Sequence, residues 1–367
     1  MILPNKKHKI ALIGYRLSAG GSDKVMANLS VFFESKGIEI HNIIVIDEVS
    51  FPYAGKLVNL GLLKNESNGI INKGKRLIAL QKYLKANNFD FIIDFRFRTK
   101  VFQELIISRL IYNTKTIFTV HSFLIDHYMP RNSWLTRLMY NHCYANVALV
   151  DQMQGLIVKT HQLQNVVTIA NPINTQEIDE KSNEEELLPF DYCIAIGQFE
   201  NPIKQFDKLI VSYANSVLPE KKIHLLILGN GDRNTLESVA KENKVEDFVR
   251  FLGYQENPYK YLKKAKFLTL SSKNEGMPNV ILESLACHTP VVSFNCSSGP
   301  SAMILDRENG LLVEDQNFNK LTAAMNEMVI DETLYKHCKQ NAANSIKPFL
   351  LAVIGQQWLD LMKINIE

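Results

Sequence analysis

No apolar run in the 367-residue chain approaches the ~18 residues of a membrane-spanning helix. The start, MILPNKKHKIALIGY, has a basic stretch and then too short an apolar run for a signal peptide, so it reads as a first strand. Cysteine is scarce. Cys143, Cys193, Cys287, Cys296 and Cys338 are scattered, odd in number and form no C-x-x-C pair, which excludes a disulfide framework and a cysteine-held zinc. Reduced, buried thiols and cytoplasmic residence are expected. A G-x-G-x-x-G fingerprint is missing, which argues against a nicotinamide cofactor. There is no D-x-D pair to hold a metal and no repeat at solenoid periods.

What is present is the profile of a globular protein, with 46% hydrophobic and 22% charged residues, in a chain long enough for two domains. The net charge of +3 hides an asymmetry. From Met1 to Ala170 there are 21 Lys and Arg against 11 Asp and Glu, a net of +10; the remainder has 20 against 27, a net of −7. The basic half points to an anionic partner, a membrane surface or a phosphate-bearing acceptor, or else to a solubilising surface.

Along the chain, short apolar runs alternate with helix-length patterns. Strands are predicted at Lys9 to Tyr15, Ile40 to Ile46, Phe89 to Phe95, Lys115 to Val120, Ala145 to Val150 and Val166 to Ile169. Alternation of this kind builds a parallel, doubly wound sheet that binds ligands beyond the carboxyl ends of its strands. The turn after the first strand holds Gly20 and Gly21, before Ser22 as a predicted N-cap. Another runs into Asp94–Arg98 (DFRFR), and a third delivers His121. A histidine there can bond a sugar hydroxyl or position reacting groups. Arg96 and Arg98, with Arg109 and Lys115 in the next segment, and Arg131 and Arg137 in RNSWLTRLMYNHCY, flank apolar stripes. Such stripes fit an acceptor or anionic membrane contact, or helices that merely face the core.

The segment from Ala170 to Asp191, with Pro172, Glu184 to Glu186 and Pro189, reads as a solvated linker. The expected division is a first domain at 1–170, a linker at 171–190, a second domain at 191–348 and a returning helix at 349–367. The second domain opens with DYCIAIGQF and Lys204, an ammonium able to meet a diphosphate. HLLILG then ends in Gly229, and AKFLTLSS leads to NEGMPNVILESLACHTPVV. There, Glu275 sits on a loop after a strand and Glu283 eight residues on, in the helix that the loop feeds. A loop entering a helix offers backbone N–H groups to an anion. One carboxylate is then available to sugar hydroxyls and the other to a ribose. Farther on, Ser297, Ser298 and Gly299 present small side chains that expose backbone N–H groups.

With the N-terminal Gly20–Gly21 turn, His121 after its strand, the GQF-to-Lys204 loop and the two glutamates, the chain resembles the retaining glycosyltransferases of the group 1 type with the GT-B architecture. The resemblance implies two Rossmann-like domains facing a cleft. The donor lies on the C-terminal one, the acceptor on the N-terminal one, and the last helix crosses back. It implies Glu283 on the ribose, Glu275 on the donor sugar, Lys204 on the diphosphate and Gly21 on the distal phosphate. Gly20, Gln198, Gly229, Gly276, Met277, Pro278, Asn279 and Val280 would complete donor binding, and His121 would lie near the sugar hydroxyl and the acceptor. Two positions depart from the family pattern: Gln198 stands where Arg is usual and Ala302 where Glu is usual. Lys204 also follows Gly197 at a spacing one residue longer.

The expected activity is metal-independent transfer of a hexose or N-acetylhexosamine from a nucleoside diphosphate, most simply UDP, to a glycan or lipid-linked glycan in surface polysaccharide or lipopolysaccharide synthesis. The nucleotide sugar is a co-substrate rather than a cofactor, and no nucleic acid is involved. Peripheral contact with the inner face of a membrane is expected. The alternatives are a non-catalytic partner of the same fold and a sugar-nucleotide epimerase.

Overall fold

The apolar runs become parallel strands because they are buried on both faces, leaving neither face to carry polar alternation. The computed structural model describes residues 8–65, 69–185 and 188–366. These divide into two units, one comprising Met1–Pro172 and Leu351–Glu367, the other Ile173–Leu350.

In the first unit, β1 (Lys9–Gly14), β2 (Glu39–Ile44), β3 (Lys56–Asn59), β4 (Phe91–Asp94), β5 (Lys115–Val120), β6 (Ala145–Ala148) and β7 (Val166–Thr168) form one sheet. Its order is β3-β2-β1-β4-β5-β6-β7, all pairs parallel. The order reverses between β1 and β4, which is the switch point where doubly wound sheets open a ligand crevice. β3 has no counterpart among the predicted strands, because its half-buried KLVN is too short to show a period. The C-terminal helix Leu351–Met362 packs against the helix Gly21–Ser35. A Cβ on Gly355 would come within 2.4 Å of the Phe32 ring, so glycine is needed for that approach. Trp358, 2% exposed, sits in the core of this unit.

The second unit repeats the design with β8 (Tyr192–Ile196), β9 (His224–Leu228), β10 (Val249–Gly253), β11 (Leu268–Leu270), β12 (Val291–Phe294) and β13 (Gly310–Val313). The order is β10-β9-β8-β11-β12-β13, again parallel, with its switch point between β8 and β11. The loops leaving those two neighbouring strands are the GQF-to-Lys204 loop and the Glu275 loop.

The segment expected to be a solvated linker is partly helical. Asn174 caps the helix Thr175–Ser182 by accepting from Glu177 N, and Asn174-x-x-Glu177 is a capping-box spacing that the acidic composition obscured. Ile178 is buried, and Asn257 Nδ2 donates to Lys181 O at 2.8 Å, so this helix belongs to the second unit. Of the acidic run, Glu186 lies outside the described residues.

Candidate functional site

Beyond β11 the chain passes Ser271 and Ser272 before reaching Glu275. Ser271 Oγ donates to Lys204 O (2.7 Å), and Lys273 N donates to Ile203 O (2.8 Å), so the loops after β8 and β11 are stitched together. Across that seam Lys204 Nζ reaches Glu275 Oε1 at 2.6 Å, with the side chains 19% and 13% exposed. An ion pair this short and this sheltered from water is charge-assisted and held in one geometry. An ammonium has three N–H groups, so the contact leaves others for an incoming anion.

Glycines shape the floor beneath Lys204. A Cβ on Gly197 would sit 3.1 Å from the Lys204 stem, and one on Gly229 would collide with Gly197 O at 1.7 Å. The turn after β9 therefore lies directly against the turn after β8. Gln198 is exposed on the same loop. Glu200, which the sequence reading passed over, accepts from Asp232 N at 3.1 Å and fastens the two turns.

A third loop, after β12, props up Glu275. Ser298 Oγ donates to Glu275 O at 2.6 Å. Gly299 takes φ +93°, and a Cβ there would lie 2.6 Å from Gly276 O. Ser298 and Gly299 are buried and support the turn, so of the three residues anticipated to expose N–H groups only Ser297 is exposed. Gly276, Met277 and Pro278 are buried, and Pro278 stands at the N-cap of the helix Asn279–Ala286, where no side chain caps the first turn. Ile281, Leu282 and Leu285 face inward, which leaves Asn279, Val280 and Glu283 half-buried. Burial pushes the Cys287 thiol up to about 12, and the neighbouring Glu283 carboxylate adds to the effect; the Tyr259 hydroxyl is raised by the same two causes. Glu283 is therefore a carboxylate set among weakly solvated groups. Ala302, at the place where the family usually carries Glu, lies in the short helix Pro300–Met303.

In the first unit Gly20, not Ser22, is the N-cap of the helix Gly21–Ser35. Its φ of +99° is a conformation that glycine adopts without penalty. Gly20 and Gly21 are exposed, while Asp23 in the same turn is buried. Burial raises the Asp23 carboxyl to about 7, against the pull of Arg16 at 3.6 Å. Asp23 went unremarked in the sequence, where an acid in a first helical turn looks like routine dipole compensation.

His121 follows β5 as expected. Its Nε2 lies 2.9 Å from Thr119 Oγ1, whose single hydrogen is donated to Asp94 O at 3.0 Å. Nε2 must therefore be the protonated nitrogen, and Nδ1 carries the lone pair. Among the described residues no group bonds that buried Nδ1. Burial, with Arg98 second, pushes the imidazole down to about 3, so it stays neutral at physiological pH.

The reading of Arg96 and Arg98 as acceptor or membrane contacts is corrected by their burial. Arg96 bonds Asp94 (2.7 Å), Glu104 (3.0 Å) and Tyr112 (3.2 Å). Arg98, 1% exposed, donates to the carbonyls of Tyr128, Arg96 and Thr119, and stacks on the rings of Phe118, Tyr128 and Tyr140. Alternating arginines after a strand look like surface charge; here the guanidiniums close the sheet end internally. Arg131 is exposed and pairs with Asp126. Arg137 is spent on His161 O, at the half-buried end of the helix Ser133–Tyr140.

Residues 174–345, which carry this paired-loop geometry, match the family model of glycosyl transferases group 1. The chain is 28% identical over 357 residues to the N-acetylgalactosamine-N,N'-diacetylbacillosaminyl-diphospho-undecaprenol 4-alpha-N-acetylgalactosaminyltransferase of Campylobacter jejuni, covering 93% of this chain and 95% of that one. It is 22% identical to the amylovoran biosynthesis glycosyltransferase AmsD of Erwinia amylovora, covering 94% and 96%. A solved structure of a point mutant of S. aureus TarM, in complex with Fondaparinux, alpha-GlcNAc-glycerol and UDP, superposes with a TM-score of 0.77 at 16% identity, covering 97% of this chain and 99% of that one. At that identity the likeness speaks for the fold, two Rossmann-like sheets of the GT-B kind.

Proposed function

We propose, from the premise that this chain belongs to the group 1 glycosyl transferases and is a glycosyltransferase, that it transfers a hexose or N-acetylhexosamine from a nucleoside diphosphate, UDP foremost, to a glycan or lipid-linked glycan acceptor. In this reading the reaction proceeds with retention and without a metal ion. The observation that carries it is the 2.6 Å contact between Lys204 and Glu275 at the switch point of the second sheet, with Glu283 on the helix that follows. Carboxylates suited to sugar and ribose hydroxyls stand beside a cation suited to a diphosphate.

Transfer breaks the bond between the anomeric carbon and the diphosphate oxygen. Positive charge grows on the sugar and negative charge on the leaving group. Lys204 turns its remaining N–H groups to the diphosphate, and the first turn of the helix Asn279–Ala286 offers backbone N–H groups to the same oxygens. Glu275 accepts from sugar hydroxyls and Glu283 from the ribose. The acceptor oxygen bonds the anomeric carbon on the face that the diphosphate leaves, and its proton passes to a diphosphate oxygen. Gln198 brings an amide where a second cation is usual in the family, so Lys204 carries a larger share of the leaving-group charge. In the first unit, His121 is fitted to accept a hydroxyl hydrogen bond at Nδ1, because the neutral ring already donates through Nε2. Gly20 and Gly21 keep their turn bare for close approach of a phosphate.

The setting follows from the relatives. One is named for a diphospho-undecaprenol-linked acceptor and another for amylovoran biosynthesis, which supports surface polysaccharide assembly on a lipid carrier. The test is turnover of a panel of nucleoside-diphosphate sugars in EDTA, with wild type and Glu283→Ala. Turnover in EDTA that the variant loses is expected. Undiminished turnover by Glu283→Ala overturns the site assignment, and a requirement for added metal overturns the metal-free mechanism.

A further inference from the structure

The helix Ile70–Asn87 carries Lys73, Lys75, Arg76, Lys82 and Lys85 and no acidic residue. Its outward side mixes that charge with apolar groups. Exposed positions recur at Ile71, Lys75, Ile78, Lys82 and Lys85, in alternating steps of four and three that keep them on one stripe. Ile71 is 79% exposed and Ile78 54%, so isoleucines stand in water between lysines.

Two neighbours extend the stripe. At the start of the helix, Asn72 Nδ2 donates to Leu63 O at 2.7 Å and fastens the turn Leu60–Leu63, where Leu62 and Leu63 are exposed. Along its length, Gln81 Nε2 donates to Leu110 O at 3.2 Å and brings in the turn Ile107–Ile111, where Leu110 is exposed. The same turn supplies Arg109 to a pocket of about 520 Å³ that it shares with Lys115, His142, Ser108 and Thr116. Among the described residues no carboxylate lines this pocket. Lys115 Nζ is steadied over the rings of Phe91 and Tyr144, at 5.3 and 5.6 Å. Among the described residues the acids nearest in sequence are engaged elsewhere; Glu66, between Leu63 and Ile71, lies outside the described residues. Asp90 accepts from Lys9 N, and Asp94 and Glu104 are buried on Arg96.

We propose that this face of the first unit lies on an anionic lipid bilayer. Leu62, Leu63, Ile71, Ile78 and Leu110 enter the boundary between headgroups and acyl chains, the lysines meet headgroup phosphates, and Arg109 and Lys115 hold one phosphate in the pocket. A nucleic acid would satisfy the lysines and leave the isoleucines wet, whereas an apolar protein groove would do the reverse. A bilayer with anionic headgroups meets both along one stripe. Among the described residues no helix is long and apolar enough to cross a membrane, so the contact is interfacial. The inference does not rest on the transfer reaction; it takes up Arg109 and Lys115, which the sequence offered for an anionic contact, and leaves out the Arg131 and Arg137 segment.

The experiment is co-sedimentation of the full chain with vesicles of phosphatidylcholine alone or with about a third phosphatidylglycerol, near 0.1 M salt. Binding to the anionic vesicles is expected. The double variants Ile71→Glu with Ile78→Glu, and Lys75→Glu with Lys82→Glu, should each lower the partition coefficient at least about tenfold. Arg109→Ala with Lys115→Ala should lower it severalfold, while Lys336→Glu in the second unit should leave it unchanged. Wild-type melting curves and retained UDP binding in each variant separate loss of the membrane face from unfolding and from failure of the donor site. No sedimentation, equal binding to neutral vesicles, stripe variants that bind as wild type, or tight capture of a single-stranded RNA in place of the vesicles would each overturn the proposal. Pocket variants that bind as wild type would overturn the headgroup site.

Discussion

Replacing Glu275 by Gln should strengthen the binding of free UDP while destroying turnover of UDP-sugar. Lys204 Nζ is committed to Glu275 Oε1 at 2.6 Å, behind loops that leave the two side chains 19% and 13% exposed. A diphosphate must share that ammonium and also approach the carboxylate. Removing the negative charge frees Lys204 and takes away the repulsion. A hydrogen bond involving a charged group contributes about 1.5–3 kcal/mol, and two charges at 4 Å near a protein surface interact by roughly 4 kcal/mol before desolvation is counted. A net gain of about 1 kcal/mol for UDP in Glu275→Gln is the conservative outcome, roughly a fivefold lower Kd. Lys204→Met should weaken UDP by about 1.5–3 kcal/mol. The double variant should depart from the sum of the two single changes, and that departure is the coupling of the pair. Titration calorimetry with UDP on all four proteins reads these numbers, and turnover of the best donor supplies the catalytic arm. Turnover of Glu275→Gln should drop at least about a hundredfold if the carboxylate holds the sugar in the transition state. The reasoning fails if Glu275→Gln weakens UDP as much as Lys204→Met does. Glu275 would then be a structural support of the phosphate site rather than a competitor for its cation.

Three further outcomes follow from the geometry. Gly299→Ala forces a Cβ to 2.6 Å from Gly276 O at a positive φ, so it should displace the turn under Glu275 and raise KM for the donor at least about tenfold, with little change in Tm if the effect stays local; an unchanged KM would show that the prop is dispensable. Asp23, raised to about 7 from an ordinary value near 3.8, contributes stability that is complete below pH 3.8 and is lost as pH rises through 7. Asp23→Asn should therefore exceed wild type at pH 8 by about 2 kcal/mol, taking half of the full linkage because Arg16 is partly solvated, and approach it near pH 4; a gap that does not change with pH in thermal melts would refute the assignment. Arg98→Leu strands the carbonyls of Tyr128, Arg96 and Thr119 in the interior, and should cost about 3–5 kcal/mol, seen as loss of soluble protein or a much lower Tm; a wild-type melt would contradict its structural role.

The strand pattern was largely legible because a strand buried on both faces must be a continuous apolar run, and KIALIG, KTIFTV and HLLIL are such runs. Lys56–Asn59 escaped because four residues, one exposed and three half-buried, carry no period. The Asn174 helix is obscured by the acidic, polar composition of its segment, although Asn174 and Glu177 stand at capping-box spacing. Arg96 and Arg98 were misplaced for a deeper reason, since nothing local distinguishes an arginine facing water from one that stacks on Phe118, Tyr128 and Tyr140. The basic stripe with its exposed isoleucines was likewise invisible, because a 3.6-residue period in sequence does not say which side of the helix faces inward.

Sequence alone determined the two-sheet parallel architecture, the glycine turns and the eight-residue interval from Glu275 to Glu283, because each depends on covalent spacing or on a local steric rule. Tertiary structure alone decided that β8 and β11 are neighbours across a switch point, and with that the contact of Lys204 with Glu275, 71 residues apart in the chain. It also decided which nitrogen of His121 bears the proton, through the hydroxyl of Thr119 and its bond to Asp94 O. Both results depend on hydrogen bonds between groups that folding brings together, and no local pattern in the chain encodes such pairings.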